Sequence, residues 1–121
     1  MTHMQPSTDH PVLLDPAVAA RAAAATRPDR PATAVLVDSP DVRMIVFRLG
    51  PGQRVPPHRS PSTVVLQVLE GAGVISGPDG ERAARPGQVA AFEPQELHGM
   101  RATDAGEVLI LATIAPRPGE R

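Results

Sequence analysis

Proton transfer near neutral pH and nitrogen ligation of a metal both fall to imidazoles, and this sequence carries four of them: His3, His10, His58 and His98. It has no cysteine, which removes disulfides, thiolate metal sites and cysteine nucleophiles together and fits a reducing compartment. His3 and His10 stand in a polar, irregular opening stretch and read as solvated terminal residues. His58 and His98 fall within the later part of the chain, which is built of short apolar runs. Arg43 and Arg48 share one such run, Val42 to Leu49, five positions apart. An unbroken pleat points them to opposite faces, so one cation is expected to face the interior, and Arg48 is the candidate for contact with a ligand. A β-bulge or a frayed strand end would return both to solvent instead.

The elements that must position these residues follow from the turn formers. Fifteen prolines and ten glycines, about a fifth of the chain, are spread between β-branched runs rather than gathered in one linker. Strands are predicted at Ala34 to Val37, Val42 to Leu49, Thr63 to Leu69, Gly73 to Ser76, Gln88 to Phe92 and Glu107 to Ile114. Pro78-Asp79-Gly80 predicts a hairpin joining Gly73 to Ser76 with Glu81 to Ala83. The one clear helix is predicted from an Asp15 N-cap and Pro16 at the first helical position through Ala17 to Thr26, ending before Pro28. Its alanine surface suits packing against the domain or a second subunit. Residues 1–10 and 116–121 read as tails, which leaves residues 11–115 as one domain.

Composition narrows the function classes. Twelve arginines, no lysine and thirteen acidic residues give a net charge of −1 with no basic run, which argues against nucleic acid as a partner. No apolar stretch reaches the roughly 18 residues of a membrane span, and a cytoplasmic protein is expected. Phe47 and Phe92 are the only aromatic residues, so the core must be aliphatic and no aromatic cage is available.

Two stretches resemble the motifs of the cupin family, in particular its small single-domain members. The first motif, G-x5-H-x-H-x3-E-x6-G, is matched by Gly52, by His58 and by the ending Val68-Leu69-Glu70-Gly71. The second, G-x5-P-x-G-x2-H-x3-N, is matched by Gly87, by Pro94 displaced by one place, and by His98. The resemblance covers about residues 33 to 115. It implies an all-β jelly-roll barrel of antiparallel strands with one short N-terminal helix, a centre where His58 and His98 meet, and a homodimer.

The departures change the implied chemistry. Ser60 stands where the motif has its second histidine, Val64 where it has the glutamate, Gln95 where it has a glycine and Ala102 where it has the asparagine. A mononuclear iron site generally needs two imidazoles and a carboxylate, which weighs against an iron dioxygenase. A weakly held divalent metal at His58 and His98, with zinc, nickel or copper favoured over iron, would need water, Ser60 or a ligand carboxylate to complete its shell. Without metal, the two rings disfavour each other's protonation and could act as a general base or bind an acidic or hydroxylic group. The expected ligand cavity is lined by His58, His98, Ser60, Val64, Leu66 and Met100, with Arg48 as a further candidate. Glu96, two before His98, is a weaker candidate for a substitute carboxylate, and Gln67 is expected to face outward by parity. The reading is a small-molecule binding protein; the alternatives are an isomerase, lyase or oxygenase of unknown substrate working through these histidines, and a dimerising protein with a vestigial centre.

Overall fold

The structure, a computed structural model, describes residues 12–118; the expected tail over residues 1–10, with His3 and His10, lies outside the described residues. Asp15 caps α1 (Pro16–Ala22), its carboxylate accepting from the Val18 N–H at 3.2 Å. The helix stops at Ala22 rather than Thr26. Ala23 turns extended, and its carbonyl accepts from Arg48 Nη2 at 2.5 Å. Alanine's helical preference is worth less than about 1 kcal/mol per residue, so one tertiary contact of this kind outweighs it.

Among the described residues nine strands follow: β1 (Ala32–Asp38), β2 (Arg43–Leu49), β3 (Arg54–His58), β4 (Thr63–Glu70), β5 (Gly73–Gly77), β6 (Gly80–Ala84), β7 (Val89–Phe92), β8 (His98–Ala102) and β9 (Val108–Ala115). They pair antiparallel into a five-stranded sheet, β1-β2-β9-β4-β7, and a four-stranded sheet, β3-β8-β5-β6. The described residues are therefore all-β with one short helix. Pro78 and Asp79 make the predicted hairpin, closing between Gly77 and Gly80.

Alternation on β4 sends Val64, Leu66 and Val68 inward. They meet Leu49, Ile75, Phe92, Met100, Val108 and Ile110 from both sheets in one aliphatic core. Burying each large side chain of this kind contributes about 1.5–3 kcal/mol. A smaller cluster of Val46, Leu109, Leu111 and Ala20 lies under α1 on the other face of the five-stranded sheet, which is the packing role expected of an alanine-rich helix. Gly71, which ends β4, has φ +78°, and a Cβ there would overlap the Glu107 carbonyl. Only glycine meets both conditions.

Two strands escape prediction, and they are the ones that carry the histidines. β3 contains Pro56 and Pro57, which cannot donate to a ladder. It survives as an edge strand paired to β8 with a register shift between Val55 and His58. The shifted strand presses on Gly99, where a Cβ would lie 2.9 Å from both the Val55 carbonyl and the Pro57 nitrogen.

The chain end also differs from expectation. Within residues 116–121, Pro116, Arg117 and Pro118 are described, Arg117 buried, Pro118 half-buried and Pro116 exposed; residues 119–121 lie outside the described residues. Arg117, 9 % exposed, sets Nη1 3.2 Å from the buried Asp38 carboxylate, which Arg43 Nε approaches at 3.4 Å. Ser62 Oγ donates to the Pro116 carbonyl at 2.5 Å. Buried charge that finds opposite charge holds a segment that a Pro-rich, charged composition alone marks as loose.

Candidate functional site

His58 ends β3 and His98 begins β8, and the two are direct partners in the antiparallel ladder. Opposed residues of such a pair project to the same face. The ring centroids lie 4.4 Å apart with the planes tilted by 55°. His98 is buried, at 5 % exposure, whereas His58 is exposed. Phe92 also packs against His98, 5.2 Å between ring centres.

Each imidazole is held in the same way. Nδ1 of His58 lies 3.1 Å from the Pro56 carbonyl, and Nδ1 of His98 lies 3.0 Å from the Glu96 carbonyl. A carbonyl only accepts, so Nδ1 donates in both rings. In the neutral tautomer this leaves Nε2 as the nitrogen with the free lone pair.

Both rings line a cavity of about 270 Å³ whose remaining wall is mainly apolar: Phe47, Val55, Val64, Leu66, Met100 and Ile114. Ser60 lines it as well, and Pro118 brings the chain end into its wall. Of the candidates read from the sequence, His58, His98, Ser60, Val64, Leu66 and Met100 are thus brought together.

Arg48 is not. It shares parity with Met44 and Val46, which face the helix, and its guanidinium bonds the Ala23 carbonyl and, at 3.5 Å, the Glu107 carboxylate. Pleat alternation does separate the two arginines, but Arg43 has the parity of the core residues Phe47 and Leu49, and its charge is met by Asp38. Glu96 does not line the histidine cavity; its Oε1 accepts from the Glu93 N–H at 2.7 Å. Gln67 is absent from the lining, as parity requires.

The sequence reading missed Arg59. It lines the cavity, and its Nη1 donates to the Gln95 carbonyl at 2.7 Å. Gln95 in turn donates its N–H to the Ser60 carbonyl at 2.7 Å and has φ +70°. Where the motif has glycine, Gln95 thus takes the left-handed backbone conformation that favours glycine. Adjacency of Arg59 to His58 and Ser60 is the signal that could have found it.

The donor set does not fit a resident divalent metal. Among the described residues no group of three or more His, Cys, Asp or Glu could hold one. Val64, in the cavity wall, supplies no charge to offset a cation held by two neutral imidazoles.

The fold places the chain among known proteins. TT1209 of Thermus thermophilus is 29 % identical and superposes with a TM-score of 0.74 over 81 % of this chain and 94 % of that one. An RmlC-like cupin protein of Desulfovibrio desulfuricans is 26 % identical, with a TM-score of 0.67 over 94 % and 98 % of the two chains. The polyketide cyclase RemF of Streptomyces resistomycificus, 20 % identical, shares the fold, with a TM-score of 0.67 over 74 % of this chain and 68 % of that one. No curated protein matches. No helix among the described residues is long and apolar enough to cross a membrane. The family model described as the cupin domain matches residues 45–114, more than half of the sequence and the stretch that holds both histidines, and the chain belongs to the cupin family.

Proposed function

We propose that this cupin binds a small, largely apolar molecule in the histidine cavity, with a hydroxyl or other hydrogen-bond donor of the ligand set against Nε2 of His58 and His98. One observation carries the reading: two imidazoles, each oriented by a backbone carbonyl at Nδ1, share an otherwise mainly apolar wall. Convergent polar groups in an apolar concavity are the usual make-up of a small-molecule site. A cavity of about 270 Å³ exceeds the roughly 150 Å³ that suffices for benzene, which suits a ligand of one ring with a short extension.

Binding is favoured over catalysis because no acidic partner among the described residues reaches the pair; the Glu96 carboxylate, the nearest in sequence, is engaged by the Glu93 N–H. A weakly held zinc, nickel or copper ion is compatible only if the ligand itself brings a carboxylate to complete the shell. A second copy of the chain is the proposed protein partner. Val35 on the edge strand β1, 45 % exposed, and Leu13, 87 % exposed, offer apolar surface for it.

The test is a screen of small aromatic alcohols and phenols followed by NMR of the methionine methyls and histidine rings. Saturable shifts at Met100 and His98 are expected for at least one compound and are lost in His98→Ala. Shifts at neither residue across the screen overturn the reading.

A further inference from the structure

The geometry points to a carboxylic acid as the ligand class, with its carboxylate on Arg59 and its apolar body inside the cavity. The inference rests on the binding reading above and adds the charge of the ligand. Three observations carry it.

Among the described residues the cavity lining contains one guanidinium, two imidazoles and one hydroxyl but no carboxylate. At Val64, where the family motif puts its acid, an isopropyl group stands in the wall, so the site attracts anions where a metal-bearing site would attract cations. An apolar wall also weakens the screening of the charge that remains.

Arg59 is held in place rather than loose. Its Nη1 is occupied by the Gln95 carbonyl, and the Gln95 N–H is tied back to the Ser60 carbonyl, each at 2.7 Å. The two loops are therefore cross-linked around the guanidinium. Such anchoring lowers the ordering cost of binding.

Using Nη1 in this way leaves the Nε–Nη2 edge, which matches the two oxygens of a carboxylate and gives paired, charge-assisted hydrogen bonds. No acidic side chain contacts Arg59 among the described ion pairs. A second concavity, bordered by Arg82, Asp79 and Glu96 between β6 and β7, mixes both signs of charge and makes no comparable demand on a ligand.

The test uses one body with three head groups, hydrocinnamate, hydrocinnamamide and phenylpropylamine, titrated calorimetrically and by Met100 methyl shifts against wild type and Arg59→Gln. Hydrocinnamate is expected to bind wild type at least about tenfold more tightly than the amide, as the loss of one charge-assisted hydrogen bond predicts, and the amine most weakly. In Arg59→Gln the preference for acid over amide falls to near unity, because the acid loses more than the amide does. Amide binding equal to acid binding in wild type, or an acid preference that survives Arg59→Gln, overturns the assignment and leaves the cavity reading standing. Failure of all three compounds to shift Met100 overturns the acid assignment, while the phenol and alcohol screen alone decides the cavity reading.

Discussion

His58 and His98 are cross-strand partners, one ending an edge strand and the other beginning its neighbour, with ring centres 4.4 Å apart. Their proximity depends on Gly99, because β3 bulges onto it through Val55 and Pro57. The centre of this cupin is therefore built by one local ladder, and its integrity is a matter of strand spacing.

Gly99→Ala tests that dependence. The added methyl would lie 2.9 Å from two backbone atoms of β3, so β3 must shift outward. Overpacking of this kind costs about 1–3 kcal/mol. A lower urea midpoint is expected, together with weaker nuclear Overhauser contacts between the two rings. Unchanged ring contacts would show that Gly99 does not govern them.

Gln95→Gly should stabilise the protein. A non-glycine residue at φ +70° carries strain of about 1 kcal/mol, and the Gln95 contacts to Arg59 and Ser60 use backbone atoms that glycine retains. Added chain entropy in the unfolded state offsets part of this gain. The net effect expected is a rise of about 0.5 kcal/mol, read from the denaturation midpoint; a fall contradicts the strain argument.

Asp38→Asn removes the carboxylate shared by Arg43 and Arg117. Taking the carboxylate away from the buried Arg117 and the partly buried Arg43 should cost on the order of 1–3 kcal/mol. Because Arg117 precedes Pro118 in the cavity wall, ligand affinity should fall as well. Equal thermal stability of variant and wild type would refute the role of this ion cluster.

Val64→Glu separates metal from ligand chemistry. Restoring a carboxylate beside the imidazoles should tighten zinc binding at least about tenfold over wild type, since a third, anionic ligand offsets the ion's charge. Without zinc the same variant should lose about 3 kcal/mol to an uncompensated buried charge. In the wild-type background, any zinc uptake should disappear in His58→Ala. No gain in zinc affinity for Val64→Glu would place residue 64 outside the imidazole centre.

Light scattering at micromolar concentration should give the mass of a dimer, and Leu13→Asp should shift it toward the monomer. A monomeric wild type removes the second copy as partner.

Turn chemistry and alternation made much of the molecule readable. Asp15-Pro16 set where the helix begins, Pro78-Asp79 set the hairpin, and the parity of Val64, Leu66 and Val68 set the inward face of β4. These are short-range rules, decided within a few residues. That His58 and His98 share one centre was implied instead by the resemblance to the cupin motifs.

Pairing between distant segments decided the rest. Pro56, Pro57 and Gly99 look unlike strand residues, and β3 and β8 exist because each completes the other's ladder. Arg48 was carried to the helix side, Glu96 was spent within its own loop, and the chain end from Pro116 to Pro118 was drawn in by Ser62 and Asp38. Arg59 gained its place from a carbonyl 36 residues away. Local sequence specifies which way a side chain leaves its own strand. Which charge, carbonyl or wall it then meets is set by the packing of segments that sequence order keeps apart.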